Sequence, residues 1–196
     1  MSAGIPLEIR GRRVLLRDAR PEDVEARIRW VTVELEWGDW DAPWEGMRRV
    51  APEDVPELRR KLLSQVAGPQ PTPRVQLWIE RIGGPLLGWV SCYGHDEAGR
   101  SIWAGIDICE AECWGHGLGT EALGLWIAYL FQEMNLSCIR LGTWAGNVRM
   151  VRCAERCGFV VESRRAEARL VRGRAYDALE FKLDRARWEE RGVGPG

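Results

Sequence analysis

Trp114-Gly115-His116-Gly117-Leu118-Gly119-Thr120-Glu121-Ala122 (WGHGLGTEA) is the stretch on which the reading of this chain turns. Its three alternating glycines run into a segment of helical period, Thr120–Met134, in which Leu123, Trp126, Ile127 and Leu130 share one face. Just upstream, Ser101–Cys109 reads as a strand. A glycine loop between a strand and a helix suits an anion. Glycine lets the backbone approach a ligand closely, and successive N–H groups converge on one point. The first turn of the helix adds unpaired donors and a partial positive charge. Glycines alone fit a tight strand-to-helix turn equally well. A Walker loop would end in Gly-Lys-Ser/Thr, but Gly119-Thr120-Glu121 has no lysine. A Rossmann fingerprint would open its βαβ unit and place an acid about 20 residues on. Here the loop lies past the middle of the chain, and the downstream strand offers Arg140 and Thr143.

Outward from the loop, the periods alternate between strand and helix. Toward the N-terminus, Leu86–Tyr93 and Val75–Arg81 form a hairpin pattern around Gly83-Gly84. Before them come a Pro/Gly linker (Gly68–Pro73), a helix over Glu53–Val66, and a Trp- and Asp-rich loop, WGDWDAPWE, ending near Gly46. Residues 22–35 carry a loose helical period after the turn Asp18–Asp23, with Pro21 suited to a first helical position. Val14 and Leu16 mark an opening strand. Toward the C-terminus, Cys138–Thr143 is a short buried strand, and Val148–Arg156 a helix stopped by Gly158. Two strands then flank Arg172-Gly173. The expected fold is α/β (α+β) with a mixed sheet, in one domain over residues 1–196.

Composition excludes several classes. Net charge is -1, which gives no general pull toward nucleic acid or anionic membrane. No apolar run reaches the ~18 residues of a membrane helix, and the N-terminal segment MSAGIPLEIRGRR has no apolar signal core, so a cytoplasmic location is expected. The six cysteines form no CxxC pair and have no nearby histidine partners, so no metal site is expected. They read as small buried hydrophobes.

Several spaced motifs resemble the GNAT acyltransferase superfamily. Trp114–Gly119 is similar to its phosphate loop, Gln/Arg-x-x-Gly-x-Gly/Ala, with Trp in the first place. That substitution resembles the RimJ/RimL-type branch, which commonly reads WGKGxGTEA. Thr143–Phe159 (TWAGNVRMVRCAERCGF) is similar to TxxxNxxxxxxxEKxGF through Asn147, Glu155, Arg156, Gly158 and Phe159. The segments LLRDARPED (15–23), Gly173…Tyr176-Asp177 and Trp188-Glu189 also look like that branch. The resemblance implies a sheet of about six to seven strands with a splay between the two central ones, flanked by about four helices.

The same resemblance implies acetyl-CoA as co-substrate, with no metal. Asp107, Ile108 and Cys109 would pair with its pantetheine arm. The amides of Trp114, Gly115, His116, Gly117, Leu118, Gly119 and Thr120 would hold the pyrophosphate. Asn147 would bond the arm across the splay, and Arg156 would approach the phosphates. Asn147 is equally an apt helix N-cap.

Acyl transfer to an amine needs a base for the nitrogen and a donor for the developing oxyanion. An N–H near Cys109 is the expected donor. Glu110 and Asp107 are the candidate bases, with Glu110 preferred. The tyrosine that serves as acid in many relatives is matched by Ala154. Cys109 and Cys113 raise a covalent route, but direct attack in a ternary complex is the family's usual one.

In this fold the front loop would line the acceptor site, so Trp37, Trp40, Asp41 and Trp44 become candidates for binding a cationic amine through ring faces and charge. They serve equally well as core and turn residues. Polyamines, aminoglycosides and basic peptide N-termini all fit such a pocket. A non-catalytic acyl-CoA sensor is the alternative function, and a homodimer is compatible with free sheet edges.

Overall fold

The computed structural model describes residues 6–46 and 49–192. One eight-stranded sheet runs through them, in the order β1-β2-β3-β4-β5-β6-β8-β7. The strands are β1 (Glu8–Arg10), β2 (Val14–Arg17), β3 (Gln76–Arg81), β4 (Leu86–Tyr93), β5 (Ser101–Ile108), β6 (Cys138–Trp144), β7 (Val160–Val171) and β8 (Arg174–Asp184). The helices are α1 (Asp23–Thr32), α2 (Val55–Ala67), α3 (Leu118–Glu133), α4 (Val148–Arg156) and α5 (Arg185–Glu190). The mixed sheet is as expected. The strand count exceeds the expected six to seven because β1, three residues long, doubles back onto β2 beyond a turn at Gly11. The added helix, α5, follows β8 directly and is also short, at six residues. Neither is long enough to display a period in sequence. Pro21 lies in the turn before α1 rather than at its first position. Among the described residues no helix is long and apolar enough to cross a membrane.

Strand alternation sorts the apolar residues onto the two faces of the sheet. Leu77, Ile79, Leu87 and Val90 join the main core with α3, where Leu123, Trp126, Ile127 and Leu130 are all fully buried. Trp78, on the alternate position of β3, and Trp89, turned to that face by a bulge in β4 at Leu87–Gly88, join a second cluster with Trp30 of α1, Trp37 and Cys109. Arg17 is buried as well, and a two-armed bridge to buried Asp23 (2.7 Å on each arm) ties β2 to the start of α1.

The sheet opens in the middle. β5 and β6 are its parallel pair, and they stay in register only at Ser101↔Cys138, Ile102↔Ile139 and Trp103↔Arg140. Beyond Trp103, β5 remains bonded to β4 as far as Ile108. β6 likewise stays bonded to β8 through Trp144. The two strands part into a wedge whose wide end faces the glycine loop and the start of α3.

Candidate active site

The wedge forms one side of a cavity of about 580 Å³. β5 supplies Gly105 to Ile108, β6 supplies Leu141 to Thr143, and the glycine loop and first turn of α3 close the wide end. α4 contributes Asn147, Arg149, Met150, Arg152, Cys153 and Arg156, and the front loop contributes Trp37, Trp40, Asp41, Ala42 and Glu45. Of the residues expected at the cofactor, Asp107, Ile108, Trp114, Gly115, Gly117, Leu118, Gly119, Thr120, Asn147 and Arg156 meet here; Cys109 and His116 do not.

The loop's shape depends on glycine at two positions. Gly115 and Gly117 both have φ of +78°, a region that L side chains rarely adopt, and Gly117 caps α3. Glu121 is the first residue to close a helical turn at this end, donating its N–H to the Gly117 carbonyl (3.1 Å). The preceding N–H groups of Leu118, Gly119 and Thr120 have no partner within the helix. They face a cavity also lined by Arg152 and Arg156, a donor set that fits a pyrophosphate. Arg13, which no motif singles out, holds the loop in place. Its side chain donates to the His116 carbonyl (2.8 Å) and to Glu121 Oε2 (2.9 Å), and its backbone N–H donates to Glu121 Oε1 (2.7 Å). These partners lie more than 100 positions apart, so no local signal reveals them.

The free donors of the wedge are shifted one residue from the expected position. The Cys109 N–H is already bonded to the Leu87 carbonyl of β4 (2.7 Å). The Ile108 carbonyl instead accepts Trp114 Nε1 (2.7 Å) from the loop side. In a strand the N–H and C=O of one residue point the same way, so Ile108, and Ile106 before it, face the wedge. The side chain of Cys109 is buried in the Trp cluster. Burial, and next the neighbouring Asp107, push its thiol upward, which disfavours the nucleophilic thiolate.

Asn147 caps α4, accepting from the Met150 N–H (3.2 Å), and its amide nitrogen donates to the Trp40 carbonyl (2.8 Å). It lines the cavity with both polar ends engaged. Ala154 is fully buried in the core, so nothing at that position reaches the cavity.

The two candidate bases separate. β5 ends at Ile108, so alternation no longer governs Glu110. Its carboxylate turns toward α1, where it accepts Trp30 Nε1 (2.9 Å) and pairs with Arg29, and it is absent from the cavity wall. Asp107 does line the cavity. Burial chiefly, and then Asp41, raise its carboxyl to about 8, while Arg27 pulls the other way. Beside it the floor is low: a side chain at Gly105 would come within 3.0 Å of Ser91 Oγ. Tyr93 stands exposed on the same wall, its phenol pushed up by burial and then by Asp41 and Asp107.

The Trp-rich front loop serves the site differently from the simplest expectation. Trp37 is buried and donates Nε1 to the Trp30 carbonyl (2.8 Å). Trp40 stacks on Trp144 (6.3 Å between centroids), and its carbonyl also accepts Trp144 Nε1 (3.1 Å). The Arg149 guanidinium is sandwiched 4.2 Å from Trp40 and 4.1 Å from Trp114. Trp44 lies off the cavity wall beneath Arg169 (4.3 Å). The protein's own arginines thus occupy these ring faces. The acids remain on the wall: Asp41, raised by burial and Glu45, with Glu45 itself and Asp107. Among the described residues no group of three or more His, Cys, Asp or Glu is disposed to hold a metal ion.

Comparison with known proteins gives this geometry its lineage. The family described as Acetyltransferase (GNAT) domain matches residues 13–160. "Putative ribosomal N-acetyltransferase YdaF" of Bacillus subtilis is 29% identical over 106 residues, which spans 54% of this chain and 57% of YdaF. Spermidine N-acetyltransferase of Vibrio cholerae, solved with CoA and spermine, superposes with a TM-score of 0.68 at 20% identity, covering 90% of this chain and 98% of that one. RimL, the ribosomal L7/L12 α-N-protein acetyltransferase solved with coenzyme A, gives 0.66 at 16% identity, covering 89% and 95%. At these identities the two structures speak for the fold, and the names of YdaF and RimL agree with the RimJ/RimL-type resemblance. With the family pattern running from the residue before β2 to the first residue of β7, the chain belongs to the GNAT acetyltransferases.

Proposed function

We propose that this chain is a single-domain N-acetyltransferase that moves the acetyl group of acetyl-CoA onto a primary amine carrying positive charge, by direct attack in a ternary complex. One observation carries the reading: the glycine-loop end of α3, the open edge of β5 and the carboxyl of Asp107 all face one cavity whose outer wall bears Asp41 and Glu45. Bound acetyl-CoA supplies an electrophilic thioester carbonyl. The chain's own groups do the rest. The amides of Leu118 to Thr120 receive phosphate oxygens. The free N–H of Ile108 is the donor aimed at the developing oxyanion. Asp41 and Glu45 attract a cation to the mouth of the cavity. Asp107 takes the proton from the attacking nitrogen, and a carboxyl held near 8 is a stronger base than an ordinary aspartate.

The activities of the spermidine and L7/L12 α-N-protein acetyltransferases support an acceptor drawn from polyamines or protein N-termini. The acidic outer wall favours the polyamine class. The test is a thiol-release screen with acetyl-CoA against polyamines, aminoglycosides, amino acids and peptides with free N-termini. Turnover is expected with cationic amines and above all with polyamines. Acetyl-CoA binding without thiol release across the whole panel would instead make the chain an acyl-CoA sensor.

A further inference from the structure

Arg27 carries a guanidinium with a buried, unbonded nitrogen and makes no ion pair among the described residues. It projects from α1, and its guanidinium carbon lies 4.1 Å from the ring centroid of Trp89 and 5.9 Å from that of Trp37. Its Nη1 is buried and meets no hydrogen-bond acceptor among the described residues. The next arginine on the helix, Arg29, is paired with both Glu34 and Glu110. A guanidinium withdrawn from water with a donor unused costs free energy. An apolar residue would cover Trp89 without that cost, so what the charge faces matters.

Trp89 stands directly opposite Asp107 in the β4–β5 register. Side chains so opposed share a face of the sheet about 5 Å apart. Arg27, stacked on Trp89, therefore stands close to the Asp107 carboxyl without bonding to it. The other titratable groups around Asp107 are Asp41 from the front loop, Tyr93 on β4 and Cys109 just past the end of its own strand. Each is neutral or negative, and Arg27 is the cation among them.

We propose that Arg27 is a positioning residue of the acyl-transfer centre: a cation stacked on Trp89, kept out of any ion pair, that favours the ionised form of Asp107 over the neutral one. The proposal rests on reading Asp107 as the base. Its lack of an ion pair is what makes the arrangement useful. A guanidinium bonded to Asp107 would occupy the oxygens that must receive the amine's proton and would weaken the base severely. A stacked guanidinium acts through its field and leaves those oxygens free. The ring of Trp89 fixes its place.

The experiment titrates Asp107 directly. The carboxyl carbon is followed by 13C NMR in protein labelled at aspartate, with Asp107→Asn supplying the assignment. kcat/KM is measured across pH on the same samples. Arg27→Gln is expected to move the Asp107 titration upward by about one unit and to carry the acid limb of kcat/KM with it, leaving acetyl-CoA affinity within twofold of the parent. Arg27→Lys, which keeps the charge, is expected to stay near the parent value. An Asp107 titration unmoved in a folded Arg27→Gln protein overturns the proposal. If the Gln variant does not fold, Arg27→Met, which keeps an apolar cover on Trp89, takes its place. Failure of both neutral variants to fold would assign Arg27 to stability and overturn the proposal as well. The two readings fail separately. An acid limb retained in Asp107→Asn removes Asp107 as base, whereas the NMR shift still decides what the charge of Arg27 does.

Discussion

Asp107 and Glu110 are three residues apart and both acidic, one within the strand that opens the sheet and the other just past its end. Alternation within β5 distinguishes Asp107, but past Ile108 it has no hold on Glu110. The fate of Glu110 is set by Arg29 and Trp30, some 80 positions away. A sequence shows such a partner only after the fold has joined them, and the same holds for Arg27 and Arg13. For Asp107 the expected outcome is double-edged. Replacement by Asn is expected to lower kcat by about 100-fold or more through loss of the base, with acetyl-CoA affinity little changed. It is also expected to stabilise the protein at alkaline pH. The folded carboxyl titrates near 8 against about 3.9 in an unfolded chain. Its ionisation therefore opposes folding increasingly as pH climbs from about 4 to 8 and fully above that. Thermal melts should place Asp107→Asn above the parent at pH 9 and level with it below pH 4. Glu110→Gln, whose carboxylate is spent on α1, should by contrast leave the pH–rate profile in place and lower the melting temperature.

Secondary elements with several turns or several alternations declare themselves in the sequence. Thr120–Met134 announces α3 through four apolar residues at helical spacing, and all four prove buried. The hairpin β3–β4 and the short strand β6 follow their patterns within a residue or two. The three-residue β1 and six-residue α5 carry too little period to be seen. The glycine loop is legible as a cradle because its requirement is local: a positive φ at Gly117 belongs to that residue alone. An alanine there would be strained by about 1–2 kcal/mol and would press on Arg13, 3.3 Å from the added carbon. Gly117→Ala should therefore weaken acetyl-CoA binding by roughly tenfold, seen by calorimetry, while kcat at saturation stays near that of the parent. Equal affinity in parent and variant would mean that the loop amides do not hold the cofactor.

Across the whole molecule, charge is partitioned although the net value is only -1. Arg152 and Arg156 line the cavity on α4, while Asp41 and Glu45 stand on the front-loop wall. The sum of charges excludes a generally basic or acidic surface but cannot show this division, since it depends on elements brought together from both ends of the chain. A cationic acceptor drawn by the acidic wall should lose affinity as salt shortens the reach of those charges, from about 10 Å at 0.1 M to about 3 Å at 1 M. The KM of a polyamine acceptor should rise several-fold over that range while kcat holds. A KM indifferent to salt would argue for an acceptor recognised by shape alone.

β5 and β6 share only three register pairs before they part. The backbone edges beyond them belong to a sheet with one strand left out, and a ligand arm laid between them would stand in for it. Solvent deuterium gives that substitution a clock. In the free protein the amides of Ile106 and Ile108 should exchange quickly despite lying at the centre of the sheet, and saturating coenzyme A should slow them toward the rate of their β4-bonded neighbours, Asp107 and Cys109.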